Sequence, residues 1–334
     1  MTAPALTVLM AVYNGAQDLS EAVESILAQD FTDFEFLIID DASTDATPEL
    51  LAKYAKNDAR IRVERNLRNI RLAASLNRGI DLAKAPLIAR MDADDVSCPG
   101  RLSKQVAYMR ANPDIGVCGS AVRIYENADE VWMPALDNHS IRAGLFFESH
   151  LYHPTVIYQK SLAKHFNYSE STLLAQDYEL WTRMAEERSV RFANLAEPLL
   201  RYRFYVKHSD AAYKEKQNSI ANTIRLQHLR RAGLEPMEKE FATHMALASR
   251  SSDLSLEMLR ACKAWLSKLY RHVAASGLCD AAVFKEELKK RWFQHFLRNR
   301  GTPLSYGIYL SSEFRDISAI SSKIAAKLRC VQQK

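Results

Sequence analysis

At 334 residues, with 48% apolar and 25% charged side chains, the chain can bury a full core and is too long for one small domain, so one large domain with an appendage, or two domains, is expected. No apolar run approaches the roughly 18 residues of a spanning helix, and the opening MTAPALTVLM lacks the basic region of a signal peptide, which points to the cytoplasm. The net charge of +5 conceals a division, because residues 1–210 carry 23 Lys+Arg against 29 Asp+Glu and residues 211–334 carry 22 against 11.

Residues 6–12 (LTVLMAV) form a β-prone apolar run that stops at the turn signal Tyr13-Asn14-Gly15, and a helical pattern follows through Leu19, Val23, Ile26 and Leu27. The unit repeats. Residues 34–39 (FEFLII) end in Asp40-Asp41-Ala42-Ser43-Thr44-Asp45 before a helix over 47–54, and a short strand at 61–64 leads to Asn69-Ile70-Arg71 and a helix with Leu72, Leu76, Ile80 and Leu82. The fourth unit is APLIARMDADDVSCPGR, residues 85–101. Its apolar strand runs into Met91-Asp92-Ala93-Asp94-Asp95, and Pro99 then opens a helix over 101–111. Regular alternation of apolar strands and helices argues for an α/β fold, a mostly parallel sheet covered on both faces.

A β-like run follows at 115–125, then a polar loop through Asp137-Asn138. Residues 151–158 (LYHPTVIY) read as another strand, Ala175-Gln176-Asp177 opens an amphipathic helix, and residues 195–205 read as a last strand with His208 after it. From about Ala211 the chain turns to helices: one to Gly233, one over 237–249, one from Leu254, and one carrying Phe284, Leu288, Trp292 and Phe296 up to a stop at Gly301. The domain division expected is therefore 1–210 and 211–334. The apolar stripes of the helical region read as core, but its basic rim makes contact with an anionic membrane surface a second reading, against the plainer one of a solvated helical face. Cys98, Cys118, Cys262, Cys279 and Cys330 are odd in number, scattered and never spaced C-x-x-C, so neither a zinc site nor a disulfide framework is indicated.

In a parallel sheet the loops after successive strands open on one edge, so Tyr13-Asn14, Asp40-Asp41, Arg71 and Asp92/Asp94 can line one crevice. There is no G-x-G-x-x-G and no G-x-x-x-x-G-K-[ST] to bring backbone close to phosphate. Three carboxylates among residues 92–95 repel one another, and a hard divalent cation, magnesium or manganese, is their natural partner. Asp177, near a helix amino end, has a plain reading as a capping residue and a functional one as a base facing the crevice.

Five motifs in order resemble glycosyltransferase family 2: residues 8–15 (VLMAVYNG), residues 38–45 (IIDDASTD), Asp92-Ala93-Asp94-Asp95 with Pro99 and Arg101-Leu102, His153-Pro154-Thr155, and Gln176-Asp177-Tyr178-Glu179-Leu180-Trp181. The resemblance covers roughly residues 5–210, where it implies a GT-A fold, and does not reach the helical basic region. It implies that Ala11 and Tyr13 pack on the uracil of a UDP-sugar, that Asp41 accepts the uracil N3–H, that Arg71 contacts the nucleotide, and that Asp92 faces the ribose or metal-bound water. Asp94 would hold the Mn2+ or Mg2+ that bridges the diphosphate, with His208 as an assisting ligand, and Asp177 would be the base of an inverting transfer. Gln176 departs from the family's usual Glu at that position, which leaves the base in place. His153 is read as a structural or acceptor-side residue. The implied reaction moves a hexose or N-acetylhexosamine from UDP to a glycan or lipid-linked acceptor in cell-surface polysaccharide or lipopolysaccharide synthesis, at the inner face of the membrane and without nucleic acid. Two other readings compete: a catalytically idle nucleotide-sugar-binding protein, and a haloacid-dehalogenase-type phosphatase, whose D-x-D-x-[TV] start fits Asp92-x-Asp94-x-Val96 but belongs on a first strand.

Overall fold

The computed structural model describes residues 3–203, 210–249, 255–298 and 303–316. The chain divides into two compact units, residues 1–141 with 149–224, and residues 142–148 with 225–334.

The first unit is built on a nine-stranded sheet. Strands β1 (Leu6–Val12), β2 (Phe34–Asp40), β3 (Ile61–Arg65) and β4 (Leu87–Met91) alternate with helices α1 (Leu19–Leu27), α2 (Thr47–Asn57) and α3 (Arg71–Leu82). They pair in parallel in the order β3-β2-β1-β4. Strand order reverses about β1, so the loops after β1 and β4 diverge and leave a crevice at the carboxyl edge. Both β1 and β2 are buried along nearly their whole length, which is why they read as continuous apolar runs rather than alternating ones.

A two-residue strand β5 (Val96–Ser97), helix α4 (Arg101–Ala111), strand β6 (Ile115–Ile124), the short β7 (Val131–Trp132), helix α5 (Asn138–Leu145), strand β8 (Ile157–Gln159), helices α6 (Lys160–Phe166) and α7 (Gln176–Met184), and strand β9 (Arg191–Tyr202) complete the order. Here the sheet becomes mixed: β8 runs antiparallel to β4 and β6, while β9 is parallel to β6 and carries β5 on its outer edge. Helices α1, α2 and α4 contribute Val23, Ile26, Leu51, Leu102 and Val106 to the core on one face. On the other, α3 lies so close that a Cβ at Gly79 would come within 2.3 Å of Leu9 Cδ1.

Residues 151–158 are not the single strand their composition suggests. His153–Thr155 form a 3-10 turn, and only Ile157–Gln159 enter the sheet. Pro154 has no N–H for a ladder, and Thr155 turns back on Tyr152, donating from its backbone N at 2.9 Å and its Oγ1 at 2.7 Å to the Tyr152 carbonyl. The last strand begins at Arg191, four residues before the expected start, and its described part ends at Tyr202.

After α8 (Ala211–Arg231), the second unit contains α9 (Glu238–Ala248), α10 (Leu256–Ser276), α11 (Ala281–Arg298) and α12 (Pro303–Leu310). The stripe Phe284, Leu288, Trp292 and Phe296 is buried against Cys262, Trp265, Leu269 and Val273, so these side chains are core. Helix α12 is an element the sequence reading did not anticipate, and Gly301, the expected stop, lies outside the described residues. Cys98, Cys118, Cys262 and Cys279 are free thiols. No helix among the described residues is long and apolar enough to cross a membrane.

Candidate active site

The loops at the carboxyl edge enclose a cavity of about 660 Å³ lined by Ala11, Tyr13, Asp41, Arg71, Asp92 and Asp94 among others. Six of the eight residues singled out in the sequence therefore share one wall-to-wall space. Asp177 is not among its lining residues, and His208 lies outside the described residues.

The loop after β1 is stitched to the loop after β2. Asn14 N donates to Ser43 Oγ at 3.0 Å, Thr44 N donates to Asn14 Oδ1 at 2.8 Å, and Gly15 N donates to Thr47 Oγ1 at 3.0 Å. Gly15 is needed there, since a Cβ would sit 2.6 Å from Val12 Cγ2. Asp41 is buried and accepts three hydrogen bonds: Asn66 Nδ2 (2.7 Å) and Ile70 N (2.9 Å) donate to Oδ1, and Arg71 N (2.8 Å) donates to Oδ2, which keeps capacity for one more donor. Those bonds hold Arg71 at φ +72°. Asn14, Ala42 and Ala175 also have positive φ, beside Tyr13, Asp41 and Gln176-Asp177 in turn. For residues with a Cβ this conformation costs on the order of 1–3 kcal/mol each, and it concentrates at functional loops.

The acidic turn after β4 is not satisfied in the same way. Asp92, Asp94 and Asp95 each offer a carboxylate oxygen within 4.8 Å of the others. Asp95 is buried, and its Oδ2 has no hydrogen-bond partner among the described residues. Burial first, then the charges of Asp92 and Asp94, push its carboxyl well above the usual range. Three carboxylates at this spacing, with Asp95 Oδ2 unpartnered among the described residues, fit a magnesium or manganese ion, whose charge would oppose the repulsion that raises the Asp95 pKa.

Arg90, in β4 two residues before Asp92, is a residue the sequence reading passed over. It is 2% exposed, pairs with Asp92, and keeps Nε and Nη1 without partners among the described residues. Burial opposes its charge, and the facing Asp92 more than restores it. A charged residue inside the run LIARM was the available signal, since arginine is almost never fully buried unless paired. The same cation acts on Asp177, the second residue of α7. Desolvation raises the Asp177 pKa and the nearby Asp92 adds to the rise, while the Tyr178 N–H and Arg90 oppose it. Asp177 is not the helix cap, a position held by Ala175. His153 donates to or accepts from Tyr168 Oη at 2.8 Å, and burial together with Arg90 holds it well below the usual imidazole range, hence neutral.

The arrangement is a cavity of about 660 Å³ lined by an acceptor carboxylate and by part of a carboxylate cluster, with a desolvated carboxylate, Asp177, coupled electrostatically to Arg90 and Asp92. A family model for glycosyl transferase family 2 matches residues 7–178. The O-antigen biosynthesis glycosyltransferase WbnJ of Escherichia coli is 34% identical over 207 residues, covering 60% of this chain and 80% of WbnJ. S. aureus TarS 1–349 in complex with UDP-GlcNAc superposes with a TM-score of 0.56 at 17% identity, over 93% of this chain and 94% of TarS 1–349. The mannosyltransferase PcManGT from Pyrobaculum calidifontis, in complex with GDP-Man and Mn2+, superposes with a TM-score of 0.54 at 17% identity, over 93% and 88% of the two chains. At such identities the two superpositions bear on the fold alone.

Proposed function

The chain belongs to glycosyltransferase family 2, and we propose that it moves a hexose or N-acetylhexosamine from a UDP-sugar to a glycan or lipid-linked acceptor in a metal-dependent, inverting step. Its α/β unit has the GT-A fold. The phosphatase reading of Asp92-x-Asp94-x-Val96 falls with that membership. The observation that carries the proposal is one cavity lined both by Asp41, held by three N–H donors, and by Asp92 and Asp94 of the acidic cluster.

Ala11 and Tyr13 pack on the base, Asp41 accepts its N3–H, Arg71 contacts the nucleotide, and Asp92 orients the ribose. A cation on Asp94 would supply Lewis-acid stabilisation of the leaving diphosphate. Asp177 takes the proton from the acceptor hydroxyl as that oxygen attacks the anomeric carbon from the face opposite UDP. One displacement then inverts the configuration. The O-antigen role in the name of WbnJ supports an acceptor in cell-surface polysaccharide synthesis. The excess of basic residues beyond 210 supports contact with an anionic membrane surface, which sedimentation with anionic vesicles at rising salt checks: no salt-sensitive binding removes that part.

The deciding experiment is a thermal-shift panel with UDP, GDP, dTDP and CMP, each with and without manganese. The expected result is stabilisation by UDP that requires manganese. Stabilisation by GDP alone moves the donor assignment, and no response to any nucleotide overturns the reading.

A further inference from the structure

Arg203, the residue immediately after β9, spans the two edges of the crevice. Its backbone N–H donates to Asp95 Oδ1 at 2.8 Å, and its Nε donates to the Asp94 carbonyl at 2.9 Å. At the other end of the guanidinium, Nη2 donates to Glu21 Oε2 at 2.8 Å and Nη1 lies 3.5 Å from Asp18 Oδ1. Its Cζ sits 3.8 Å from the centre of the Tyr125 ring, whose hydroxyl donates to the same Glu21 oxygen at 2.9 Å. One side chain, 14% exposed, thus ties the acidic turn after β4 to the first turn of α1, and Asp18 lines the cavity with Asp92 and Asp94.

We propose that Arg203 is a positioning residue: it clamps the Asp94–Asp95 turn against α1, so that the carboxylates converge at cation spacing, and thereby sets the affinity of the cation–nucleotide complex without touching the nucleotide. The inference rests on the metal-dependent donor reading above. The physical need is plain. Three mutually repelling carboxylates gain by spreading apart, and small hard cations tolerate little departure from their preferred geometry. Arg203 holds the turn by hydrogen bonds to the Asp94 carbonyl and Asp95 Oδ1, and its planar fork reaches both ends of the span at once, which the single ammonium of lysine does not. The base-binding half of the cavity is held by other bonds, those among Asn14, Ser43, Thr44, Asp41 and Arg71. Loss of the clamp therefore separates the two halves.

The test is calorimetry of the full chain with UDP alone and with UDP plus manganese chloride, on wild type, Arg203→Met, Arg203→Lys and Glu21→Gln. Affinity for UDP alone is expected to stay within about twofold of wild type in all of them, while the tightening by manganese falls by about tenfold or more in Arg203→Met. Arg203→Lys recovers only part of it, and Glu21→Gln, which weakens the far anchor by removing its charge, shows a smaller loss of the same kind and serves if Arg203→Met does not fold. Unchanged manganese tightening in Arg203→Met overturns the proposal. So does a parallel loss with and without manganese, which marks a merely structural role. A wild-type chain with no manganese tightening is a different failure: it removes the metal-dependent reading itself, and the clamp with it.

Discussion

Replacing Asp41 by Asn is the sharpest single perturbation of the recess. Asp41 accepts from Asn66 Nδ2 and Ile70 N at Oδ1 and from Arg71 N at Oδ2. In the better of its two orientations the asparagine keeps Oδ1 as a neutral acceptor and turns an NH2 group towards the Arg71 N–H, donor against donor. A hydrogen bond to a charged acceptor contributes about 1.5–3 kcal/mol, and a stranded buried donor costs about 1–3 kcal/mol. One bond lost and two weakened come to about 3 kcal/mol, which as affinity is roughly a hundredfold. Because Asp41 both orders residues 66–71 and faces the cavity, that loss divides between stability and UDP binding. Thermal unfolding and calorimetry read the two parts on one sample. A variant that keeps its unfolding midpoint within about 1 °C and its UDP affinity within about threefold would refute the reasoning, since it would mean that Asp41 holds neither Arg71 nor the nucleotide.

The other expectations concern charge. Asp177→Asn keeps the shape and removes the proton acceptor, so transfer should fall by about 10²–10⁴-fold with UDP binding intact; wild-type turnover in this variant assigns the base elsewhere. If Asp177 is the base proposed above, it would act only when ionised, and since desolvation raises its pKa, the rate should fall as pH drops through a value above the usual Asp range of about 3.9, a limb that a pH profile of kcat/KM displays. Arg90→Met removes the cation that opposes the rise, so the same limb should shift to higher pH; an unmoved limb would detach Arg90 from the base. Asp94→Ala should abolish the manganese-dependent share of UDP affinity, and UDP binding that is metal-independent and unchanged in that variant would leave Asp94 without a role.

What could be read from the residues divides along a physical line. Elements whose burial shows as composition were legible: the apolar runs at β1 and β2 are buried strands, and the helix expected over 101–111 is α4 from Arg101 to Ala111. Elements decided by a single competing interaction were not. Pro154 and the Thr155–Tyr152 bonds break an apolar stretch into a turn and a three-residue strand. The pocket's polar residues were legible because parallel topology puts strand-end loops on one edge. Arg203 was not, because nothing local marks a residue whose partners are Asp18, Glu21, Asp94 and Asp95, up to 185 positions away in the chain. Arg90 lay between the two cases, marked by its charge in a buried strand but silent about which carboxylate it meets.

The two halves of the cavity differ in how complete they are, and the difference has a mechanistic consequence. On the base side both carboxylate oxygens of Asp41 accept hydrogen bonds and the strained φ values of Asn14, Ala42 and Arg71 are already installed; a ligand entering there has little left to order, so its binding free energy is spent on contact rather than on rearrangement. On the acidic side Asp95 Oδ2 and Arg90 Nε and Nη1 have no partners among the described residues, and the Asp95 carboxyl is forced towards its protonated form. Buried polar atoms without partners are destabilising by themselves, and a cation held by Asp92, Asp94 and Asp95 would offset the charges that raise the Asp95 pKa. The same cation would remove the negative field of Asp92 from Asp177, lowering the pKa that Asp92 now raises. On the proposed roles, donor loading and activation of Asp177 as a base would then be coupled through one carboxylate and one arginine, since a cation beside Asp92 would favour the ionised form of Asp177.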